Sequence, residues 1–256
     1  EDEGILMITP ASTSPEITER GYELVFRTIG LDSMQGPVAG NYIASQSPER
    51  VAIVHDKQQY GEGIATAVRD TLQDAGIEIA MFEGITAGAK DFSSLVTKLR
   101  QADVDYVYYG GYHPELGLIL RQAQQADLDA TFMGPEGVGN KDINTIAGEA
   151  AEGLLVTLPP SFDEKDENQE LVQAFEEKGE DPSGPFVLTS YTAVQLIADG
   201  IEAAESTDPF DVAEALRAGT FQTPIGTVEY DNKGDMESFE FVVYEWHSDG
   251  SKTPVN

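Results

Sequence analysis

Short, nearly continuous apolar runs alternate along this chain with longer stretches whose apolar residues recur every three to four positions. The first pattern is that of a strand covered on both faces, the second that of an amphipathic helix. Arg50–Asp56 (RVAIVHD) is a β-branched run. Gly61–Gly76 (GEGIATAVRDTLQDAG) follows, with Ile64, Val68, Leu72 and Ala75 on one helical face and Gly76 as its stop. Ile77–Ile85 predicts the next strand, and Asp91–Asp103 a helix with Asp91 as N-cap and Leu95, Leu99 and Ala102 turned inward. Val104–Gly111 predicts a strand, His113–Asp127 a helix, and Ala130–Gly137 and Glu152–Pro159 two further strands. Five strands with helices between them imply an α/β fold with a parallel, doubly wound sheet.

The pattern changes after Pro160. Asn168–Gly179, Phe186–Ala204 and Asp208–Gly219 predict helices, and Thr223–Gly250 a late β region with a turn at Asp231–Gly234. The front of the chain holds two strands, Ile5–Thr9 (ILMIT) and Glu23–Thr28 (ELVFRT). Two strands cannot bury a sheet face without covering helices. The front and the helices after Pro160 are therefore expected to share one lobe that lacks strands, and the middle to form another.

Composition narrows the function classes. The chain has 256 residues, 46 acidic against 15 basic, a formal net charge of −31 and a pI near 4.1. Nucleic acid and anionic membrane surfaces carry the same sign and are excluded as partners. The acids are spread along the chain; Asp163–Asn168 (DEKDEN) is their densest cluster, so they form a surface and not a tail. No apolar run reaches the ~18 residues of a membrane span. Cysteine is absent, which removes disulfides, thiolate metal sites and a cysteine nucleophile. The chain opens on EDEGILMITP with no basic segment and no initiator Met, which suggests a processed form or a piece of something longer.

Ligands of open α/β sheets bind beyond the carboxyl ends of the strands. Tyr60 follows the strand at Arg50, Tyr112 and His113 the strand at Val104, and Glu136 the strand at Ala130; Ala11, Ser12 and Thr13 follow the first strand. A carboxylate in a crevice suits a ligand cation, and tyrosines offer flat apolar walls. Thr13–Glu16 (TSPE) has the form of a capping box opening a helix, whose free N–H groups suit an anion. Together these describe an apolar α-amino acid. Singly, each has a simpler reading: a solvated loop Glu, rim tyrosines, a helix cap. Gly61 and Gly63 begin a dinucleotide fingerprint that Thr66 breaks. His55, His113 and His247 have no metal-ligand spacing, so no metal is expected. Asp231–Asp235 (DNKGD) fails the calcium-loop spacing and reads as a turn. Without a nucleophile partnered to a histidine, catalysis is not expected, and no cofactor is called for.

EDEGILMITPAST, AIVHDKQQYGEG, GITAGAKDFSSLV, DYVYYGGYHPELG, FMGPEGV, AGEAAEGLLVT, DPSGPFV and FEFVVYEWH closely resemble the periplasmic branched-chain amino-acid-binding proteins of Gram-negative bacteria, the leucine/isoleucine/valine receptors of an ABC importer. The resemblance covers essentially the whole chain. It implies a two-lobed type I periplasmic binding protein with doubly wound, mostly parallel sheets and three strands crossing between lobes. The first lobe would comprise residues 1–31 and 160–238, with its N-terminal part missing, and the second 32–159 and 239–256. Carried over from the family, Ala11 offers its carbonyl to the ligand ammonium and Thr13 binds the head group through its hydroxyl and N–H. Glu136 pairs with the ammonium, and Tyr60, Tyr112 and Phe186 surround the ligand. The implied function is capture of leucine, isoleucine or valine by lobe closure, as a periplasmic monomer, and delivery to a membrane ABC permease. About a quarter of the family chain precedes this sequence, including a carboxylate-binding serine, a selectivity aromatic and the family disulfide. Two other readings stand beside this one: a sensory domain of the same fold for an amide or other amino acid, and an α/β enzyme with a histidine at the crevice.

The acidity has one physical account in a salt-rich habitat, where a hydrated acidic surface stays soluble. Melting temperature is then expected to rise as salt is raised toward molar, and a salt titration showing no rise counts against it.

Overall fold

The structure, a computed structural model, describes residues 1–255. In chain order the strands are β1 (Met7–Thr9), β2 (Val25–Arg27), β3 (Val51–His55), β4 (Ile79–Gly84), β5 (Tyr106–Gly110), β6 (Thr131–Gly134), β7 (Leu154–Leu158), β8 (Phe221–Thr223), β9 (Gly226–Val228), β10 (Val242–Trp246) and β11 (Lys252–Pro254). The α-helices are α1 (Asp32–Ser45), α2 (Gln59–Asp74), α3 (Ser93–Gln101), α4 (His113–Gln125), α5 (Asp142–Ala147), α6 (Gln169–Glu176), α7 (Val187–Ala204) and α8 (Pro209–Ala218). The chain divides into two compact units, Glu1–Leu31 with Pro159–Glu240, and Asp32–Leu158 with the residues from Phe241 on.

The second unit is built on a sheet of order β11-β10-β7-β6-β5-β3-β4. Strands β3 to β7 run parallel, while β10 lies antiparallel on β7 and β11 on β10. Every residue of β3, β5 and β7 is buried, as their continuous apolar runs require. Alternate residues serve opposite faces. Ile53, Tyr108, Met133 and Leu155 meet α1 and α2 through Ile43, Ile64, Val68 and Leu72. Val54, Val107, Phe132 and Val156 meet α3, α4 and α5 through Leu99, Leu116, Ile119 and Ile143. Each fully buried aliphatic side chain of this kind contributes about 1.5–3 kcal/mol. Trp246 joins the second of these cores and donates its indole N–H to Asn144 Oδ1 at 2.8 Å. The chain leaves β3 toward β4 on one side and places β5 on the other, so the strand order reverses between β3 and β5.

The first unit pairs β1 and β2 in parallel, Met7 opposite Val25, and adds the β8–β9 hairpin. Its core gathers Leu24, Phe26, Leu188, Leu196, Leu216, Val228 and Tyr230. The Asp231–Gly234 turn closes with Gly234 N–H on the Asp231 carbonyl at 3.2 Å. Asp231 Oδ1 accepts the Lys233 and Asp235 N–H groups, at 2.8 and 3.0 Å, as a turn aspartate does.

Two local expectations need correction, and one helix was not expected at all. TSPE opens no α-helix: Pro15–Ile17 is a single 3-10 turn with Ser14 at its N-cap and no side-chain cap. The chain turns away because the Thr18 hydroxyl is drawn to Asp235, at 2.8 and 3.0 Å. Asp91 does not occupy the N-cap of α3, which is Phe92, although its carboxylate accepts the Ser93 N–H at 2.9 Å. The helix α1 has no apolar stripe to announce it. Its buried positions are Asp32, Gln35, Gly36, Ala39, Gly40 and Ile43, which have helical spacing but are mostly small or polar.

Those small residues let α1 lie close on α2. A Cβ on Gly36 would stand 2.5 Å from the Ala67 Cβ, with Ala67 backbone behind it. The Gly36→Ala variant is expected to lose about 1–2 kcal/mol, overpacking outweighing the gain in helix propensity, as read by urea denaturation.

Candidate functional site

The carboxyl ends of β3, β5 and β6 place three of the expected residues together in the second unit. Tyr60 enters from the first turn of α2, Tyr112 from the N-cap of α4, and Glu136 from a 3-10 turn after Pro135. The Tyr60 and Tyr112 rings lie 5.2 Å apart, tilted by 39°. Tyr112 is exposed and Tyr60 partly buried. The Tyr60 hydroxyl donates to the Glu136 carboxylate and accepts the Gly137 N–H at 3.2 Å. Gly137 admits that ring, since a Cβ there would stand 3.0 Å from two Tyr60 atoms and 2.8 Å from the Gly111 carbonyl. This is the reversal point of the strand order, where open α/β sheets bind ligands.

Sequence reasoning missed the rest of this cluster. Asp32 and Gln35, one helical turn apart on α1, are both buried, as are Tyr108 of β5 and Thr157 of β7. Gln35 donates to the Thr157 hydroxyl at 2.8 Å and carbonyl at 3.1 Å, and also to Glu136. The available signal was the i, i+3 spacing of Asp32 and Gln35 in LDSMQGP, which Gly36 and Pro37 disguise as a turn. Burial pushes the Glu136 carboxyl up to about 7, and the Asp32 charge beside it adds to the rise. Bonds from Tyr60 and Gln35 oppose the rise without cancelling it. Burial and the same two carboxylates raise the Tyr60 and Tyr108 hydroxyls. This cluster keeps carboxylates out of water and suits a cation.

In the first unit, Ala11 and Thr13 follow β1 on one short segment. The Thr9 hydroxyl accepts the Ser12 N–H at 3.1 Å and the Ala11 N–H at 3.5 Å. Thr13 is buried and Ala11 partly so. With only a three-residue turn behind it, this segment has no helix macrodipole to offer an anion, contrary to the expectation from TSPE. Phe186 stands at the N-cap of α7, partly buried, and lines an open apolar groove with Phe175, Pro185, Tyr191 and Val194.

His113 opens α4 beside Tyr112, while the other two histidines are engaged elsewhere. His55 is buried against Phe82, ring centroids 5.0 Å apart, and its Nδ1 accepts the Lys57 N–H at 3.3 Å. Tertiary structure brings Glu152 to Glu245 and His247, with one side-chain oxygen or nitrogen of each within 4.8 Å of the others, a grouping that the histidine spacing did not suggest. Two of the three side chains form a surface ion pair. His247 Nδ1 lies 3.0 Å from Glu152 Oε1, and the Ser248 N–H donates to Glu152 Oε2 at 2.7 Å. The contact with His247 holds the Glu152 carboxyl down at about 2 and raises His247.

The elevated Glu136 value has a stability consequence with a definite sign. Folded Glu136 keeps a proton that the unfolded chain releases near its ordinary value of 4.5. Stability is therefore lost as pH rises toward and through about 7. The Glu136→Gln variant, without ligand, is expected to exceed the parent by on the order of 1–3 kcal/mol at alkaline pH and by little at pH ~4. Urea denaturation at the two pH values reads the difference.

Comparison with known proteins agrees with this architecture. Residues 1–251 match the periplasmic binding protein family. The leucine-, isoleucine-, valine-, threonine- and alanine-binding protein of Pseudomonas aeruginosa is 61% identical over 256 residues, spanning all of this chain and 69% of that protein. The Leu/Ile/Val-binding protein of Escherichia coli K12 is 54% identical over 254 residues, 99% of this chain and 69% of its own length. The crystal structure of a leucine-binding protein from Thermotoga maritima superposes with a TM-score of 0.90 at 27% identity, covering 100% of this chain and 73% of that one. The chain belongs to the periplasmic binding protein family and has the α/β fold of its type I members, with a mostly parallel central sheet.

Proposed function

We propose that this chain is the ligand-capturing part of a periplasmic receptor for the branched-chain L-amino acids leucine, isoleucine and valine, which delivers them to a membrane ABC permease. The observation that carries the reading is the buried Glu136 carboxylate beside Asp32 at the strand-order reversal, faced by the Tyr60–Tyr112 pair. A ligand ammonium supplies the opposite charge that two desolvated carboxylates favour, and the tyrosine faces suit an aliphatic side chain. The names of the relatives, which bind leucine, isoleucine and valine, support the same ligand class.

In this reading Glu136 takes the ammonium with the carbonyl of Ala11. Thr13 takes the carboxylate end of the head group through its N–H and hydroxyl, and Tyr60, Tyr112 and Phe186 contact the side chain. Capture proceeds by closure of the two units on the ligand, driven by the ligand's greater affinity for the closed form, which the permease then recognises. The protein works as a monomer and performs no chemistry on its ligand.

Removing Glu136 leaves the ligand ammonium desolvated without its partner. In the full-length protein Glu136→Ala is expected to weaken leucine binding by roughly 100-fold or more, as measured by calorimetry. Near-parent affinity would remove Glu136 from the site. Titration with amino acids and their amides, beside a turnover assay, separates this receptor from an amide sensor or an enzyme.

A further inference from the structure

Arg27 is fully buried in β2, and its guanidinium spends its donors on one small region of the first unit. Nε–H donates to Asp235 Oδ1 at 2.6 Å. Nη1 donates to the Ser12 carbonyl at 2.7 Å, and Nη2 to the Ser14 carbonyl at 3.1 Å and the Thr18 hydroxyl at 2.9 Å. Thr18 in turn reaches both Asp235 oxygens, at 2.8 and 3.0 Å. The backbone ties the same parts together, since the Arg27 N–H donates to the Gly234 carbonyl at 3.1 Å.

A buried ion pair is a poor device for stability alone, because a well-packed apolar pair of equal volume commonly does as well or better. An apolar pair, however, cannot hold backbone carbonyls. The two that Arg27 holds, Ser12 and Ser14, stand on either side of Thr13. No described peptide is cis. In a trans peptide the carbonyl of residue 12 and the N–H of residue 13 point in opposite directions. The bond from Nη1 to Ser12 therefore aims the Thr13 N–H away from the guanidinium. Donation to that carbonyl also polarises the peptide and strengthens its N–H as a donor.

We propose that Arg27, keyed by Asp235 and Thr18, is a positioning residue for the ligand's carboxylate. It sets the orientation of the Ser12–Ser14 backbone and so presents the Thr13 N–H and hydroxyl without touching the ligand. The inference rests on Thr13 as a head-group residue, as proposed above. It also gives the DNKGD segment its role: the turn carries Asp235 to the guanidinium. Lysine cannot substitute, because one ammonium does not reproduce a planar fork reaching a carboxylate, two carbonyls and a hydroxyl together.

The test uses the full-length protein, with leucine affinity measured by calorimetry and unfolding measured separately. Arg27→Lys is expected to weaken leucine binding by at least about tenfold under conditions where circular dichroism shows a folded protein. Amide hydrogen exchange in the free protein is expected to rise at residues 12–14 but not in the sheet of the second unit. A lowered melting temperature with affinity within about twofold of the parent overturns the proposal, since that is what a purely structural ion pair gives. Should Arg27→Lys fail to fold, Thr18→Val is judged by the same criterion, with a loss of several-fold expected. Thr13→Ala separates the two ideas. If it binds leucine as the parent does, the head-group assignment fails. If it weakens binding while Arg27→Lys and Thr18→Val do not, only the positioning role fails.

Discussion

Keeping the Glu136 carboxylate out of water beside a second acid, Asp32, is the constraint around which the second unit is arranged. An isolated carboxylate cannot be moved from water to an apolar interior without either a proton or several hydrogen bonds. Here the sheet, α1 and α2 each supply part of the answer. Gln35 from α1 and Tyr60 from α2 bond the carboxylate, and Thr157 from β7 holds Gln35 in turn. What they leave unmet is a net negative charge at the reversal of the strand order, the place where the open sheet leaves a crevice. A site that is electrostatically uncomfortable when empty favours a cationic ligand group without having to enclose it from all sides.

The first unit handles a buried charge in the opposite way. Arg27 is satisfied within its own network by Asp235, Thr18 and two carbonyls. Nothing in that network asks for a ligand. Its consequence is geometric: the segment after β1 and the turn before Asp235 are bound to one rigid group. One buried charge is held short of neutral and, in the proposed function, serves as an attractor, while the other is neutralised and, in the proposed positioning role, serves as a fixture. Both uses depend on exclusion of water, which sharpens the first and stiffens the second.

The surface follows a different logic. With 46 acidic against 15 basic residues, carboxylates outnumber about threefold the Lys and Arg cations that could pair with them. The exposed pair of His247 and Glu152 ties the end of β10 to the segment before β7. Exposed pairs of this kind contribute little to stability. The fold rests on the two-sided burial of the second unit's sheet and the smaller core of the first.

The strands β3 to β7, the helices between them and the residues at their carboxyl ends were legible because hydrophobic periodicity reports burial, which is nearly complete for the inner strands β3, β5, β6 and β7 and gives way to alternation of half-buried and exposed residues in the edge strand β4. Tyr60, Tyr112 and Glu136 could be named from that pattern, since topology alone puts strand ends on one edge. Ala11 and Thr13 were named from their place at the end of a strand and from a helix cap that is in fact a single 3-10 turn. Phe186 came from family resemblance and from no pattern in the residues. Helix α1 was not legible, because its buried stripe of Asp32, Gln35, Gly36, Ala39 and Gly40 is small and polar, and periodicity of burial is invisible when the buried residues are not hydrophobic. Nor could local pattern join Arg27 to Asp235, 208 positions away, or Asp32 to Glu136. Sequence by itself determined which segments bury and therefore the class of fold. Only tertiary structure decided which charges share a desolvated space, because that depends on contacts between segments and not on the order of residues within them.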